Sequence, residues 1–198
     1  AESLDEPPDE PAEPRPAATI VLMRDDEAGL EILLMRRNRS AGFVPGAYVF
    51  PGGRVDAADA TSAAAERVDG FSAKQAADRL GLDDPSAAMA YYLAALREAF
   101  EETGILVGVL PDGSAPPSAA VDKKVDRVRD RLMTDAVSFS DALAELDCRI
   151  AGDAVEYIAH WITPIPEPRR YDTRFFAARV PPATDAIIDP REMTDALW

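Results

Sequence analysis

A single helix sets the terms on which this chain can fold, and both of its ends are written in the sequence. Asp84-Pro85 provides a start, with proline at the first helical position, where its missing N–H has no partner to lose. Gly104 provides a stop, because glycine most readily takes the left-handed conformation that ends a helix. Between them Leu93, Leu96 and Phe100 recur at i, i+3 and i+7, so one arc faces a core. Glu98, Glu101 and Glu102 stand at i, i+3 and i+4 and share a different arc.

That acidic arc is locally unfavourable. Glu98 and Glu102 are like charges four residues apart, which costs ~0.2–0.5 kcal/mol. All three acids occupy the last turns, where the negative end of the helix dipole withholds a further ~0.3–1 kcal/mol each. Arg97 is the only base inside the cluster, and one base cannot neutralise three acids. A charge run is ordinarily a solvated face. A bound cation would also resolve the conflict, and oxygen-only ligands select hard Mg²⁺ or Mn²⁺ over zinc. Upstream, the strand-like run Ala47-Tyr48-Val49-Phe50 stops at Pro51-Gly52-Gly53. Paired glycines let a backbone approach a ligand and present a carbonyl to it; taken alone, an ordinary strand-ending turn explains them better.

The remaining periodicities predict a layered arrangement of mixed strands and helices. Runs 18–23 and 30–35 read as a hairpin around the turn-rich spacer 24–29. Residues 73–80, 121–133 and 139–147 have helical spacing, while 105–110, 155–163 and 173–180 read as strands. One domain is expected from Ala17 to Trp198. Residues 1–16 are acidic and proline-rich with a single leucine, so they read as a disordered tail unable to offset its ordering entropy. Acids outnumber bases 36 to 21, a formal charge of −15. That balance disfavours non-specific nucleic-acid binding, which needs phosphate-neutralising bases, and docking on anionic membranes. A lone cysteine, Cys148, rules out an internal disulfide and reads as packing. With no apolar run near the ~18 residues of a membrane span and no charged-then-apolar leader, a cytoplasmic location is expected. The sole histidine, His160, needs no role beyond its place in a strand.

The glycine turn and the acidic helix end together resemble the Nudix box, G-x5-E-x7-R-E-U-x-E-E-x-G-U, where U is a bulky apolar residue. Arg97-Glu98 fill R-E, Ala99 takes the apolar position, Glu101-Glu102 fill E-E, and Gly104-Ile105 complete the box. Gly53 matches the opening glycine, and Asp59 stands where the family has glutamate. Between Asp59 and Arg97 lie 37 residues in place of seven. The chain thereby resembles the subgroup that includes peroxisomal coenzyme A diphosphatases, whose box carries a long insertion. The runs 49–56, 161–164 and 170–176 resemble that subgroup as well.

The resemblance implies an α/β Nudix fold, an α/β/α sandwich with a mixed central sheet and an inserted helical segment at about residues 60–90. It implies that Glu98, Glu101 and Glu102, with the Gly52 carbonyl, hold Mg²⁺ or Mn²⁺, and that Arg97 orients the glutamates. Asp56 and Asp59 would support the loop and the arginine. Arg36, Arg37, Arg39, Gly53, Arg170 and Arg174 would reach substrate. The general base stays open among Glu98, Glu156, Glu167 and Glu192. The implied activity is hydrolysis of a nucleoside diphosphate linked to another group, with coenzyme A or acyl-coenzyme A preferred. Nucleotide sugars, NADH and modified nucleoside triphosphates share that chemistry. A non-catalytic nucleotide-sensing module is the rival, although such modules tend to lose the box glutamates. A homodimer is also expected.

Overall fold

The structure is a computed structural model that describes residues 12–38 and 46–198. Arg39 and most of the expected N-terminal tail lie outside the described residues. In chain order the elements are β1 (Arg15–Asp26), β2 (Gly29–Ile32), β3 (Leu34–Arg37), β4 (Tyr48–Val49) and β5 (Gly52–Arg54), followed by a 3₁₀ turn (Ala57–Ala60). Then come α1 (Ser62–Ala65), β6 (Val68–Asp69), α2 (Ala73–Leu80), α3 (Pro85–Thr103), α4 (Lys123–Met133) and α5 (Phe139–Glu145). The chain closes with β7 (Ile150–Ala151), β8 (Val155–Ile162), β9 (Tyr171–Arg179) and β10 (Met193–Leu197).

β1 is the spine of the main sheet. It runs parallel to β9 along one edge and antiparallel to two short strands along the other, β2 at Met23–Asp26 and β5 at residues 17–19. β8 completes the order β2-β1-β9-β8, so the sheet is mixed. A second, antiparallel sheet has the order β10-β3-β4, and β6 pairs with β7 in parallel. Alternate side chains Ala18, Ile20 and Leu22 of β1, joined by Phe176 of β9, are fully buried on one face.

The helix α3 rests on that face, contacting β1, β5 and β9. Its ends are as the sequence predicts: the Asp84 carboxylate accepts from the Ser86 N–H, Pro85 opens the helix, and Gly104 closes it at φ 69°. Leu93, Leu96 and Phe100 are at 0, 1 and 0% exposure, and the Tyr92 ring tilts between Phe71 and Phe176 at 4.8 and 4.5 Å. α2, set by a Ser72/Gln75 capping box, packs across α3.

Three local expectations are corrected. Residues 105–110 form no strand, only an isolated bridge from Val109 to Arg149. Ile105, Leu106 and Val107 are apolar because they are buried beyond the helix end, and a short apolar run does not distinguish a strand from buried loop. The Pro-Gly-Gly turn continues directly into β5, which pairs with β1. β1 is longer than the apolar run at both ends, because pairing with β9 recruits Arg15 and Pro16 and pairing with β2 recruits residues up to Asp26.

Gly104 ties two later segments to the end of α3. Ala119 N–H donates to its carbonyl at 2.8 Å, and Ile187 N–H donates to the Thr103 carbonyl at 2.8 Å. A Cβ at Gly104 would sit 2.6 Å from Ile187 Cγ2 and 2.8 Å from the Ala119 Cβ. Gly104→Ala therefore adds both left-handed strain and overpacking, and is expected to destabilise by about 1–3 kcal/mol. Urea unfolding checks this; an unchanged midpoint contradicts the close-approach account.

Candidate active site

The last two turns of α3 carry the charges, and β5 passes against them. Gly53 is the residue that allows this: a Cβ there would overlap the Glu98 carboxylate. A Cβ at Gly52 would overlap the Ala18 carbonyl and lie 2.7 Å from the Thr19 Cα. The two glycines thus let β5 fit between β1 and the helix. The Gly52 N–H donates to Glu102 Oε2 at 2.9 Å.

Arg97 is the hub. Its Nε and Nη2 donate to the two oxygens of Asp59 at 2.9 and 3.0 Å, a bidentate fork between residues 38 apart in sequence. Nη2 also donates to the Arg54 carbonyl at 3.0 Å. Nη1 donates to Glu98 Oε1 at 2.9 Å and Glu101 Oε2 at 3.0 Å. Asp59 is 2% exposed and also accepts from the Asp56 N–H at 2.9 Å, while the Asp56 carboxylate stands 3.6 Å from Arg97 Nη2. Aspartate suffices where glutamate is usual because the 3₁₀ turn, entered from β5, carries Asp59 up to the guanidinium.

A cleft of about 280 Å³ opens over this cluster. Arg97, Glu98, Glu101 and Glu102 line it with Asp56, together with Leu132 and Met133 at the end of α4, Asp135 after it, and Asp189, Arg191, Glu192 and Met193. Burial pushes all three glutamates up: Glu98 above its usual range, Glu101 to about 7 and Glu102 to about 8. Arg97 opposes the rise at Glu98 and Glu101, and the Gly52 N–H opposes it at Glu102.

Among the described residues no three His, Cys, Asp or Glu side chains already converge as a metal cage. The cause is visible: Glu98 and Glu101 are turned onto Arg97, and Glu102 onto Gly52. Each uses one oxygen in those bonds, and none of their second oxygens accepts a hydrogen bond from a described residue. Desolvated carboxylates with oxygens to spare, lining a cleft where acids outnumber bases, suit a hard divalent cation.

The expected substrate residues divide. Gly53 belongs to the cluster. Arg36 lies with its guanidinium 5.8 Å over the Tyr48 ring, and the charge of Arg37 bears on Glu102. Arg170 and Arg174 are not brought to the cleft. Arg170 donates to the Thr163 and Ala12 carbonyls, and the buried Arg174 donates to the Leu80 carbonyl and Tyr157 hydroxyl. Of the candidate bases, Glu192 lines the cleft with Glu98, whereas Glu156 faces Arg79 at 3.7 Å and Glu167 sits in the β8–β9 turn. His160 pairs with Asp172 between those same strands. A larger cavity, about 780 Å³, lies between residues 12–16 and 168–171, and among the described residues Glu13 is the only acid lining it.

Sequence reasoning missed Arg129, Asp189 and Arg191. Arg129 had a signal: it falls on the apolar face of α4 beside Val125, Val128 and Leu132, where a charge is out of place. It is 3% exposed, and its Nε donates to the Phe100 and Glu101 carbonyls at 3.2 and 2.8 Å, closing the end of α3.

Residues 64–198 match the family model for the NUDT19 Nudix domain. The chain belongs to the Nudix family. It is 33% identical over 188 residues to the human acyl-coenzyme A diphosphatase NUDT19, covering 78% of this chain and 49% of that protein. The chicken protein of the same name is 31% identical over 204 residues, covering 85% and 53%. The chain thus spans about half the length of the curated relatives it matches. The crystal structure of a Nudix hydrolase from Alicyclobacillus acidocaldarius superposes with a TM-score of 0.72 at 28% identity, covering 94% of this chain and 78% of that one. The family match begins after Gly53 and Asp59, so the first half of the Nudix box rests on the contacts of those residues with Glu98 and Arg97.

The raised glutamates make a pH prediction. Between the ordinary carboxylate value of 4.5 and about 8, the folded metal-free protein holds more protons than the unfolded chain, so its stability falls as pH rises through that window. A cation displaces those protons and binds better as pH rises. Thermal denaturation at pH 5.5 and pH 8, with EDTA or with Mg²⁺, is expected to show a larger Mg²⁺-induced rise at pH 8. Equal rises at both pH values contradict the assignment.

Proposed function

We propose that this chain is a divalent-cation-dependent hydrolase that cleaves the diphosphate of a nucleotide-linked small molecule, with coenzyme A or acyl-coenzyme A as the preferred substrate. The observation that carries the reading is the Arg97 hub, which gathers Asp59, Glu98 and Glu101 at one cleft. The coenzyme A preference draws on the names of the relatives that the chain resembles.

Mg²⁺ or Mn²⁺, when bound, would polarise the diphosphate, offset developing charge and lower the pKa of an attacking water. The protein's part is to keep the carboxylates desolvated and aimed. Arg97 fixes Glu98 and Glu101 relative to each other, and the Gly52 N–H fixes Glu102. In this reading Glu192, which lines the same cleft, would accept a proton from the attacking water. Nucleotide sugars, NADH and modified nucleoside triphosphates stay within this chemistry. A sensing module that binds without cleaving is disfavoured because all three box glutamates are present and assembled. A homodimer belongs to the proposal too; a monomer by light scattering at high concentration removes that part.

A chromatographic screen for cleavage products, with Mg²⁺ or Mn²⁺ over coenzyme A, acyl-coenzyme A, NADH, ADP-ribose, nucleotide sugars and nucleoside triphosphates, tests the reading. One diphosphate class is expected to turn over, and Glu101→Gln to lower kcat about 10²-fold or more, the scale of losing one transition-state stabiliser. Ligand-induced stabilisation with no turnover of any substrate points to the sensing module instead.

A further inference from the structure

We propose that Arg191 grips a phosphate of the substrate in this cleft and that Asp189 holds Arg191 in place until substrate arrives. The inference rests on the cleft receiving a diphosphate, as proposed above.

Among the described residues two guanidiniums line the cleft, Arg97 and Arg191. Arg97 is buried and committed: Nε, Nη1 and Nη2 all donate to Asp59, Glu98, Glu101 or the Arg54 carbonyl. It can organise carboxylates but has little left to offer a ligand. The Arg191 side chain is 72% exposed. Its Nε donates to both Asp189 oxygens at 2.9 Å and its Nη2 to Oδ2 at 2.6 Å, while Nη1 donates to no described residue. The guanidinium side of this pair is open to solvent, so Arg191 can meet a ligand, and the planar fork matches phosphate oxygens as well as it matches a carboxylate.

The backbone aims this arginine. Glu192 and Met193 N–H groups both donate to the Asp189 carbonyl, at 3.1 and 2.9 Å, and Arg191 N–H donates to Asp189 Oδ1 at 2.9 Å. The preceding Ile187 is fastened to Thr103 at the end of α3. The turn that carries Arg191 is therefore anchored to the helix that carries the glutamates.

Releasing Arg191 does not strand Asp189. Its side chain is only 15% exposed, and it lies in the field of Arg129 as well as Arg191. Arg129 is 3% exposed, has no ion pair among the described residues, and keeps a buried Nη2 without a hydrogen-bond partner. A carboxylate so little exposed would be costly to leave alone. Arg129 acts on Asp189 more weakly than Arg191 does, so Asp189 keeps part of its compensating charge when Arg191 turns to a phosphate.

The test compares Arg191→Ala, Arg191→Lys and Asp189→Asn with Lys74→Ala, which removes one positive charge from the exposed face of α2. Calorimetric titration with inorganic pyrophosphate in Mg²⁺ gives Kd, and steady-state assays on the cleaved diphosphate give KM and kcat. Arg191→Ala is expected to raise both Kd and KM about tenfold or more, the scale of a lost charge-assisted hydrogen bond, with kcat within about threefold of wild type by the same reasoning that uniform binding is lost. Arg191→Lys recovers part of the loss, Asp189→Asn tightens pyrophosphate, and Lys74→Ala stays near wild type. Arg191→Ala behaving like Lys74→Ala overturns the assignment of Arg191, and weaker binding in Asp189→Asn overturns the holding role of Asp189. Wild-type turnover with an unaltered Arg191→Ala removes this inference alone. A wild type that neither binds pyrophosphate nor cleaves a diphosphate removes the functional reading and this inference with it.

Discussion

The buried guanidinium of Arg97 is the interaction around which the site is assembled. Three acids from two distant stretches of chain meet on it, and each bond is charge-assisted. A buried cation without partners would be prohibitively costly, as would the buried carboxylates without it. The two requirements are met together by one geometry. β5 must run along β1, the glycines must admit it against Glu98, and the 3₁₀ turn must lift Asp59 to the fork. The long segment between Asp59 and Arg97 is spent on α1, β6, α2 and the first turns of α3, and returns the chain to the hub.

The same geometry leaves the glutamates in a state of tension. Arg97 and the Gly52 N–H satisfy one oxygen of each glutamate, burial raises the cost of the charges, and the glutamates share their cleft with further acids. Protons relieve this at low pH, and a divalent cation would relieve it at higher pH. Such tension at a locally unfavourable place is what functional sites commonly show.

Much of this was legible in the sequence, and for local reasons. The limits of α3 depend on Asp84, Pro85 and Gly104 acting within a turn of themselves, and the shared arc of Glu98, Glu101 and Glu102 follows from helical spacing alone. The reach from Asp59 to Arg97 was legible only through the family pattern, since no local rule joins residues 38 apart. What could not be read depends on partners. Residues 105–107 look like a strand because burial and strand pairing select the same apolar residues. Arg174 looks like a ligand contact because nothing in its neighbours in sequence announces the Leu80 carbonyl it serves. Arg129 and Arg191 matter because α4 and the turn before β10 come together at the end of α3, a tertiary fact.

Mn²⁺ titration followed by electron paramagnetic resonance tests the central claim most directly, because it reads cation binding without requiring any substrate. Wild-type protein is compared with Glu98→Gln and Glu102→Gln, each keeping its shape and losing its charge. The account predicts at least one Mn²⁺ bound by the wild type and affinity reduced about tenfold or more in each variant, since charge count sets the affinity of an oxygen-ligand site. Equal Mn²⁺ binding by all three proteins would contradict it and leave the glutamates of α3 as partners of Arg97 and Gly52 alone.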